Sequence, residues 1–368
     1  MKKLFTLPIL TLSVAIFSMF FGAGNIIFPL ILGIECQGQY IWAFLGLMVT
    51  AIGGPLLGLL AATFLKGNCK KFFYTAGKPL GLFLMISTLV LVIFIGMPRC
   101  LTISYSVINP LLPISRINFA RVFTLIVLVC CWKHRYVLPT LGKFLSPLLL
   151  LCLVAIIYQC YITGKPLEMS SITKIEAFKS GFSTGYYTMD LIASIYFSAG
   201  IWTLIKVNFQ SDTKTTFKVA LVSGVLGCGF LAIIYLGLCR GAAGFQEELI
   251  NVSPENLLTT LASLALGNKL SIIANIAVAL ACLTTVISLA MALSDIICKD
   301  LLKSKFSYHT VVFINLTIVG IMSQIGFMGL MTILHPIISI CYPIIILLVL
   351  WTIYKKLFVK RQLITTPQ

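Results

Sequence analysis

Two charged residues lie deep inside apolar stretches of the chain: Arg99, in the run from about 79 to 108, and Asp190, in the run from about 181 to 205. Ionisable side chains within membrane-length runs are costly and mark ion paths, proton relays or counter-ions for a ligand. Each stands about nine residues from the outer end of its run, so at 1.5 Å rise per residue both lie roughly 14 Å below one surface. Equal depth permits a pair. An outer gate, a proton or cation site, and a partner for a substrate charge all fit it. So does a structural ion pair that only fixes helix register, and the spacing leaves these readings open. Asp295, near the end of its run, is expected to meet water or Lys299.

The first apolar run holds Phe20-Phe21-Gly22-Ala23-Gly24-Asn25, with Pro29 four residues after Asn25. Each glycine costs a helix about 1 kcal/mol against alanine. At mid-membrane, backbone groups freed by a break need new partners. The pattern predicts either a helix break that offers amides and carbonyls to a ligand or close packing through small residues. The polar amide of Asn25 at the same depth favours a site. Further on, Ala281-Cys282-Leu283-Thr284-Thr285 puts two hydroxyls halfway along a run. They suit a small hard cation such as sodium, or each bonds back to its own helix, the commoner fate of a membrane threonine. The sixth run contains Gly185, Ser194, Ser198 and Gly200; a second break is expected between Gly185 and Gly200.

Other patterns carry no chemistry. Gly181-Phe182-Ser183-Thr184-Gly185 matches the G-x-S-x-G elbow of hydrolases, but that motif needs a strand–turn–helix setting and here it starts an apolar span. Gly54–Gly58 and Gly77–Gly81 match the G-x-x-x-G of helix packing. Twelve cysteines form no C-x-x-C pair, and His134, His309 and His335 have no zinc-type partners nearby. Neither a transition-metal site nor an enzyme is expected.

The elements that must position these residues are membrane helices. The chain is 59% hydrophobic and 10% charged, with a mean hydropathy of +1.05; soluble domains run about 25% charged. Ten apolar runs of about 20 residues are readable, near 7–33, 41–65, 79–108, 118–132, 144–162, 181–205, 217–239, 270–297, 309–325 and 333–354. The long connections, about 163–180 and 240–269, are hydrophilic. Met1-Lys2-Lys3 before an apolar stretch resembles a signal peptide, but the run continues past a 7–15-residue signal core, so a retained first span is expected. With the N-terminus inside, 19 basic residues face inward and 7 outward, leaving Arg99 within a span. That asymmetry predicts a multi-pass protein of a bacterial inner membrane with both termini cytoplasmic. It also accounts for the net charge of +17 without nucleic acid, since aromatic residues do not interleave with the basic clusters.

Phe20-Phe21-Gly22-Ala23-Gly24-Asn25-Ile26-Ile27-Phe28-Pro29 resembles the first-span signature of the branched-chain amino acid:cation symporters, the BrnQ-type carriers of the amino acid–polyamine–cation superfamily. Pro98-Arg99 with Ser104-Tyr105, then Gly185-Tyr186-Tyr187-Thr188-Met189-Asp190, then Ala281 to Thr285, then Pro336 with Tyr342-Pro343 agree in order. The resemblance covers nearly the whole chain, one transmembrane transporter domain. It implies an all-α, leucine-transporter-type fold of two inverted five-helix repeats, about 7–162 and 181–354, with the first and sixth helices broken. The backbone of Phe20, Phe21, Gly22, Ala23, Gly24 and Asn25 would hold the charged groups of leucine, isoleucine or valine. Ser194 and Ser198 are the candidate substrate contacts of the sixth helix. Carbonyls near Ser18, Phe21 and Ala281, with the hydroxyls of Thr284 and Thr285, would hold sodium; Asn25 would ligate a second cation or the substrate carboxylate. The implied function is import in symport with a cation, sodium or a proton, without a cofactor; a proton would need a titrating carboxylate such as Asp190, and the two threonines favour sodium. A carrier of another neutral solute and a non-transporting relative are the alternatives. The implied partners are the amino acid, the cation and lipid; the oligomeric state is not readable. Members of the family run longer by about two spans, and the ten-helix core is expected to suffice for transport.

Overall fold

The computed structural model describes residues 7–132, 146–167, 170–209, 213–267, 271–302 and 304–359. Among the described residues there is no strand. Inside a bilayer only a helix or a closed barrel satisfies its own backbone, and runs of about 20 apolar residues fit the helix.

The chain opens with α1 (Leu7–Phe20) and α2 (Ala23–Cys36), followed by α3 (Tyr40–Leu47) and α4 (Gly54–Phe64), which a π-turn at Met48–Gly53 joins. A short α5 (Cys69–Phe73) leads to α6 (Lys78–Leu91) and α7 (Met97–Ile108), joined by a second π-turn at Val92–Gly96. Next come α8 (Arg116–Trp132), α9 (Ser146–Thr163), α10 (Lys174–Tyr187), α11 (Asp190–Phe209) and α12 (Thr213–Ala243). The short α13 (Gln246–Leu249) precedes α14 (Leu257–Leu266), α15 (Ser271–Ile296), α16 (Tyr308–Met322) and α17 (Phe327–Tyr354). Gln37 takes a φ of +43° and separates α2 from α3. Without that turn, the 42 residues Ala23–Phe64 would run on for about 63 Å, twice the hydrocarbon thickness.

Among the described residues, six helical stretches are long and apolar enough to cross a membrane, and a seventh if the bent pair α10–α11 counts as one. The shorter apolar helices Leu7–Phe20 and Pro147–Thr163 lie where the sequence also places spans. Two boundaries move. Helix α10 begins at Lys174, inside the stretch expected as a loop, because Thr173 accepts from the Glu176 amide and Glu176 returns a bond to Thr173: a capping box. The 240–269 connection likewise contains α13 and α14 rather than loop alone. Outside the spans, Lys165 reaches Glu247 and Glu248 at 2.7 Å each. Its hydrogen bond holds the Glu248 carboxyl below the usual carboxylate range, so this tie is lost only as pH falls below that range.

Packing explains the small residues. Helix α3 lies along α10, α4 along α11, α2 along α12 and α7 along α15. A Cβ on Gly58 would stand 2.5 Å from Ser194 Oγ and 2.8 Å from Leu191, so Gly54–Gly58 does serve packing at its second glycine. Gly77 does not. Nothing lies within 4 Å of its would-be Cβ, and its φ of +95° shows a turn residue that opens α6. The hydrolase-like stretch is a helix interface: added Cβ atoms would come within 1.8 Å of the Ala43 carbonyl at Gly181 and 1.9 Å of Thr50 Oγ1 at Gly185. Leu125, Val129, Leu151, Ile233, Ile340 and Leu347 face outward. Such an apolar belt belongs against lipid rather than water, and the molecule is a multi-pass membrane protein.

Candidate functional site

Both expected breaks are present, and they meet. The first lies between α1 and α2 at Phe21 and Gly22. Gly22 is the N-cap of α2 with an extended backbone, and its amide donates to Asn25 Oδ1 at 2.9 Å. A Cβ on Gly22 would sit 3.2 Å from Thr285, so glycine lets α15 approach the break. Asn25 therefore caps α2 through its carbonyl oxygen and keeps its amide group free for other helices.

The second break lies at Thr188 and Met189, where α10 and α11 diverge by 44°. No glycine makes it. Met189 adopts a φ of +63°, a conformation that costs a bulky residue about 1–3 kcal/mol and that clusters at functional sites. The surroundings hold it there. Thr188 donates from Oγ1 to the Gly185 carbonyl at 3.0 Å, and the guanidinium of Arg99 donates to the carbonyls of Tyr187 (2.6 Å) and Thr188 (3.3 Å). Arg99 thus caps the C-terminal end of α10, where carbonyls lack helical partners and the dipole is negative.

Asp190 begins α11. Its Oδ2 accepts from Asn25 Nδ2 at 2.5 Å and from the Tyr235 hydroxyl at 3.3 Å, and Asn25 Nδ2 also donates to Tyr235. One carboxylate oxygen thereby ties together α2, α11 and α12. Arg99 and Asp190 share a depth, as their spacing predicts, but they form no ion pair: the guanidinium is committed to carbonyls and the carboxylate to neutral donors.

Between the breaks is a narrow cavity of about 30 Å³, the space of roughly one water. Its lining mixes the polar side chains of Asn25, Arg99, Thr188, Asp190 and Thr285 and the backbone of Gly22 and Ala23 with Met19, Phe20, Val92, Gly96, Cys100, Met189, Ala193 and Leu289. The π-turn at Val92–Gly96 brings Val92 and Gly96 onto the wall, a use of π-geometry common at functional sites. Beside Arg99, Phe28, Tyr187 and His335 make a connected rim. Tyr187 stacks on His335 with ring centroids 4.0 Å apart and a 3.0 Å hydrogen bond between hydroxyl and Nδ1, while Arg99 lies 5.6 Å from the Phe28 ring.

The candidate cation ligands are partly assembled. Thr285 Oγ1 donates to the Phe21 carbonyl at the first break, 3.2 Å away. Thr284 bonds back to the Ala281 carbonyl at 3.0 Å, the behaviour of an ordinary membrane threonine. The Ser18 hydroxyl, one turn before the break, is buried without a partner, as is that of Ser288, one turn beyond Thr284.

Ser194 and Ser198 stand apart from the other candidate residues. Neither lines the cavity. Their hydroxyls donate to the Leu191 and Ile195 carbonyls, and Ser194 faces Gly58 of α4. The break sits at Met189, so the cavity face of α11 runs through Asp190 and Ala193, and Ser194 is turned about 100° away. The sequence reading missed Met189, Ala193, Tyr235 and His335. A tyrosine inside an apolar run was the one signal for Tyr235, since its hydroxyl needs a buried partner.

Similarity to known proteins identifies the family and the fold. A family model described as branched-chain amino acid transport protein matches residues 6–368. A protein of Staphylococcus aureus (strain USA300) described as a branched-chain amino acid carrier is 31% identical over 365 residues, covering 93% of this chain and 80% of that protein. Its counterpart in Staphylococcus saprophyticus is 32% identical over 358 residues, covering 91% and 79%. Among solved structures, Mhp1, a nucleobase-cation-symport-1 family transporter in a closed form with bromovinylhydantoin bound, superposes with a TM-score of 0.66 at 14% identity over 96% of this chain and 79% of that one. A Na+-coupled sialic acid symporter gives 0.63 at 11% over 97% and 80%. The fold is therefore that of the leucine-transporter-type carriers.

Proposed function

The chain belongs to the branched-chain amino acid transport protein family, and from that premise we propose that it imports leucine, isoleucine and valine across a bacterial inner membrane in symport with sodium. One observation carries the reading. The two helix breaks meet at a cavity lined by both polar groups and apolar side chains. Backbone at the breaks offers amides and carbonyls for the charged end of an amino acid, and the apolar lining takes a branched side chain. Sodium is favoured as the coupling ion because Thr285 faces the Phe21 carbonyl at the break itself, where an ion between them would join the end of α1 to α15. No bond is made or broken in the cycle: ion and substrate bind, the helices rearrange, and both leave on the other side.

Uptake of labelled isoleucine into proteoliposomes holding only this protein tests the proposal. The expected result is accumulation driven by an inward sodium gradient, competed by leucine and valine and not by lysine. Accumulation under a proton gradient alone would replace sodium as the coupling ion. Its absence under both gradients would overturn the reading.

Size selection follows from Gly96. A Cβ there would meet Met189 at 3.6 Å and Val92 at 3.7 Å, ordinary contact distances, so Gly96→Ala fits the fold and only shrinks the cavity. A methylene-sized change in such a pocket is worth tenfold or more in selectivity. The Gly96→Ala protein is expected to lose at least about tenfold in leucine uptake relative to alanine uptake, as measured by competition. An unchanged ratio would remove Gly96 from the side-chain pocket.

A further inference from the structure

We propose that Arg99 and Asp190 hold the two charges of a zwitterionic substrate separately: Arg99, with the amino end of α2, takes the carboxylate, and Asp190 takes the ammonium. The inference rests on the transport reading and deepens it, since it says which chemical group each residue recognises.

The first ground is burial without pairing. Arg99 and Asp190 are each 3% exposed and both line the cavity. A buried charge is expensive unless another charge answers it. Here the two opposite charges share a cavity yet do not pair, each being held by neutral groups. Two carbonyls satisfy part of the guanidinium, and its Nε has no partner. Only neutral donors, Asn25 and Tyr235, reach Asp190 Oδ2. A ligand with one positive and one negative group would answer both.

Polarity is the second ground. A Cβ on Gly24 would lie 3.0 Å from Arg99 Nη2, so the missing side chain lets the guanidinium rest against the first turn of α2. The amino end of a helix is itself positive and carries unpaired amides. Two positive groups are thus set side by side, and the α10 carbonyls answer only part of the guanidinium, leaving its Nε unpartnered. A carboxylate has the right charge and accepts from both. Asp190 stands beyond Asn25 on the other half-helix, and its carboxyl is the acidic group of the lining, the natural seat for an ammonium. A zwitterion laid between them would also bridge the two breaks.

Leucine has two near-isosteres that separate its charges: 4-methylpentanoate lacks the ammonium and 3-methylbutylamine lacks the carboxylate. Competition of each against labelled leucine on the purified full-length protein, in detergent with sodium, gives two preference ratios. A site built to bind a polar group rejects an analogue lacking it by several orders of magnitude, so both ratios are expected to exceed about 100 in the wild type. Asp190→Asn keeps acceptors for Asn25 and Tyr235 but drops the charge. It is expected to lose at least about tenfold of the preference for leucine over 4-methylpentanoate and to keep the preference over 3-methylbutylamine. Arg99→Met is expected to show the converse. If Arg99→Met is not recovered folded, Arg99→Lys serves: it keeps the charge without the planar fork and is expected to lose the same ratio by a smaller factor. A purely structural role for either residue would weaken all three ligands in proportion and leave both ratios unmoved, which would overturn the proposal. Absence of leucine binding by the wild type would instead overturn the transport reading beneath it.

Discussion

A Thr285→Ala protein is expected to need at least tenfold more sodium for half-maximal isoleucine uptake, and Thr284→Ala/Thr285→Ala to lose sodium activation altogether. The two threonines differ in what they reach. Thr285 donates across the helix interface to the Phe21 carbonyl, at the point where α1 stops. Thr284 donates within its own helix. A sodium ion binds oxygen lone pairs, so it would turn the Thr285 hydroxyl proton away and take both this oxygen and the Phe21 carbonyl as ligands. Alanine removes one oxygen and one hydrogen bond worth about 0.5–1.5 kcal/mol. It introduces no bulk beside Gly22, whose would-be Cβ is 3.2 Å from Thr285. Loss of a ligand shifts the sodium curve; loss of packing lowers uptake at every sodium concentration. Titration of sodium at saturating isoleucine separates the two, and an unshifted midpoint in the double variant would remove this region from ion coupling.

The second large effect falls on the fold. Gly181→Leu is expected to abolish recovery of monodisperse protein, or to lower its thermal midpoint in detergent by more than any conservative exchange in the cavity. A Cβ at Gly181 would lie 1.8 Å from the Ala43 carbonyl oxygen, and one at the facing Gly46 would lie 2.1 Å from the Phe178 carbonyl oxygen. These obstacles are backbone atoms, so no rotamer change relieves them and α3 must part from α10. Overpacking a core costs about 1–3 kcal/mol when side chains can move; here the whole interface is lost. Thr50 lies in the same contact and donates to the Phe182 carbonyl at 2.9 Å, so the separation also costs a buried bond. Gly229→Ala is the control. Nothing lies within 4 Å of its would-be Cβ, and alanine is the better helix former by about 1 kcal/mol. Equal thermal midpoints for the Gly181 and Gly229 variants would refute the packing account.

What the sequence determined by itself is what local chemistry decides. Apolar runs of bilayer length leave the backbone no choice but helix, and their recurrence along the chain defines the class. Gly22 and Gly24 beside Asn25 announce the first break because glycine is a poor helix former and Asn25 can cap the helix that follows. Arg99, Asp190 and Thr285 stand out because polar atoms at mid-membrane must find partners. Which partners they find is a property of the tertiary structure. The second break falls at Met189 rather than at any glycine, because Arg99 and Thr188 hold the carbonyl end of α10 and impose a left-handed backbone on a residue that would not choose it. That one-residue placement decides that Ala193 faces the cavity while Ser194 packs on Gly58. The same holds for Gly181, whose spacing imitates a catalytic motif and whose purpose appears only when α3 is laid against it. Tyr235 meets Asp190 from a helix 45 residues further along the chain, and no pattern within either helix encodes that meeting. Hydropathy and propensity act over a few residues, whereas the site is made where the ends of α1, α2, α7, α10 and α11 converge on the middle of α15, and that convergence is settled by packing.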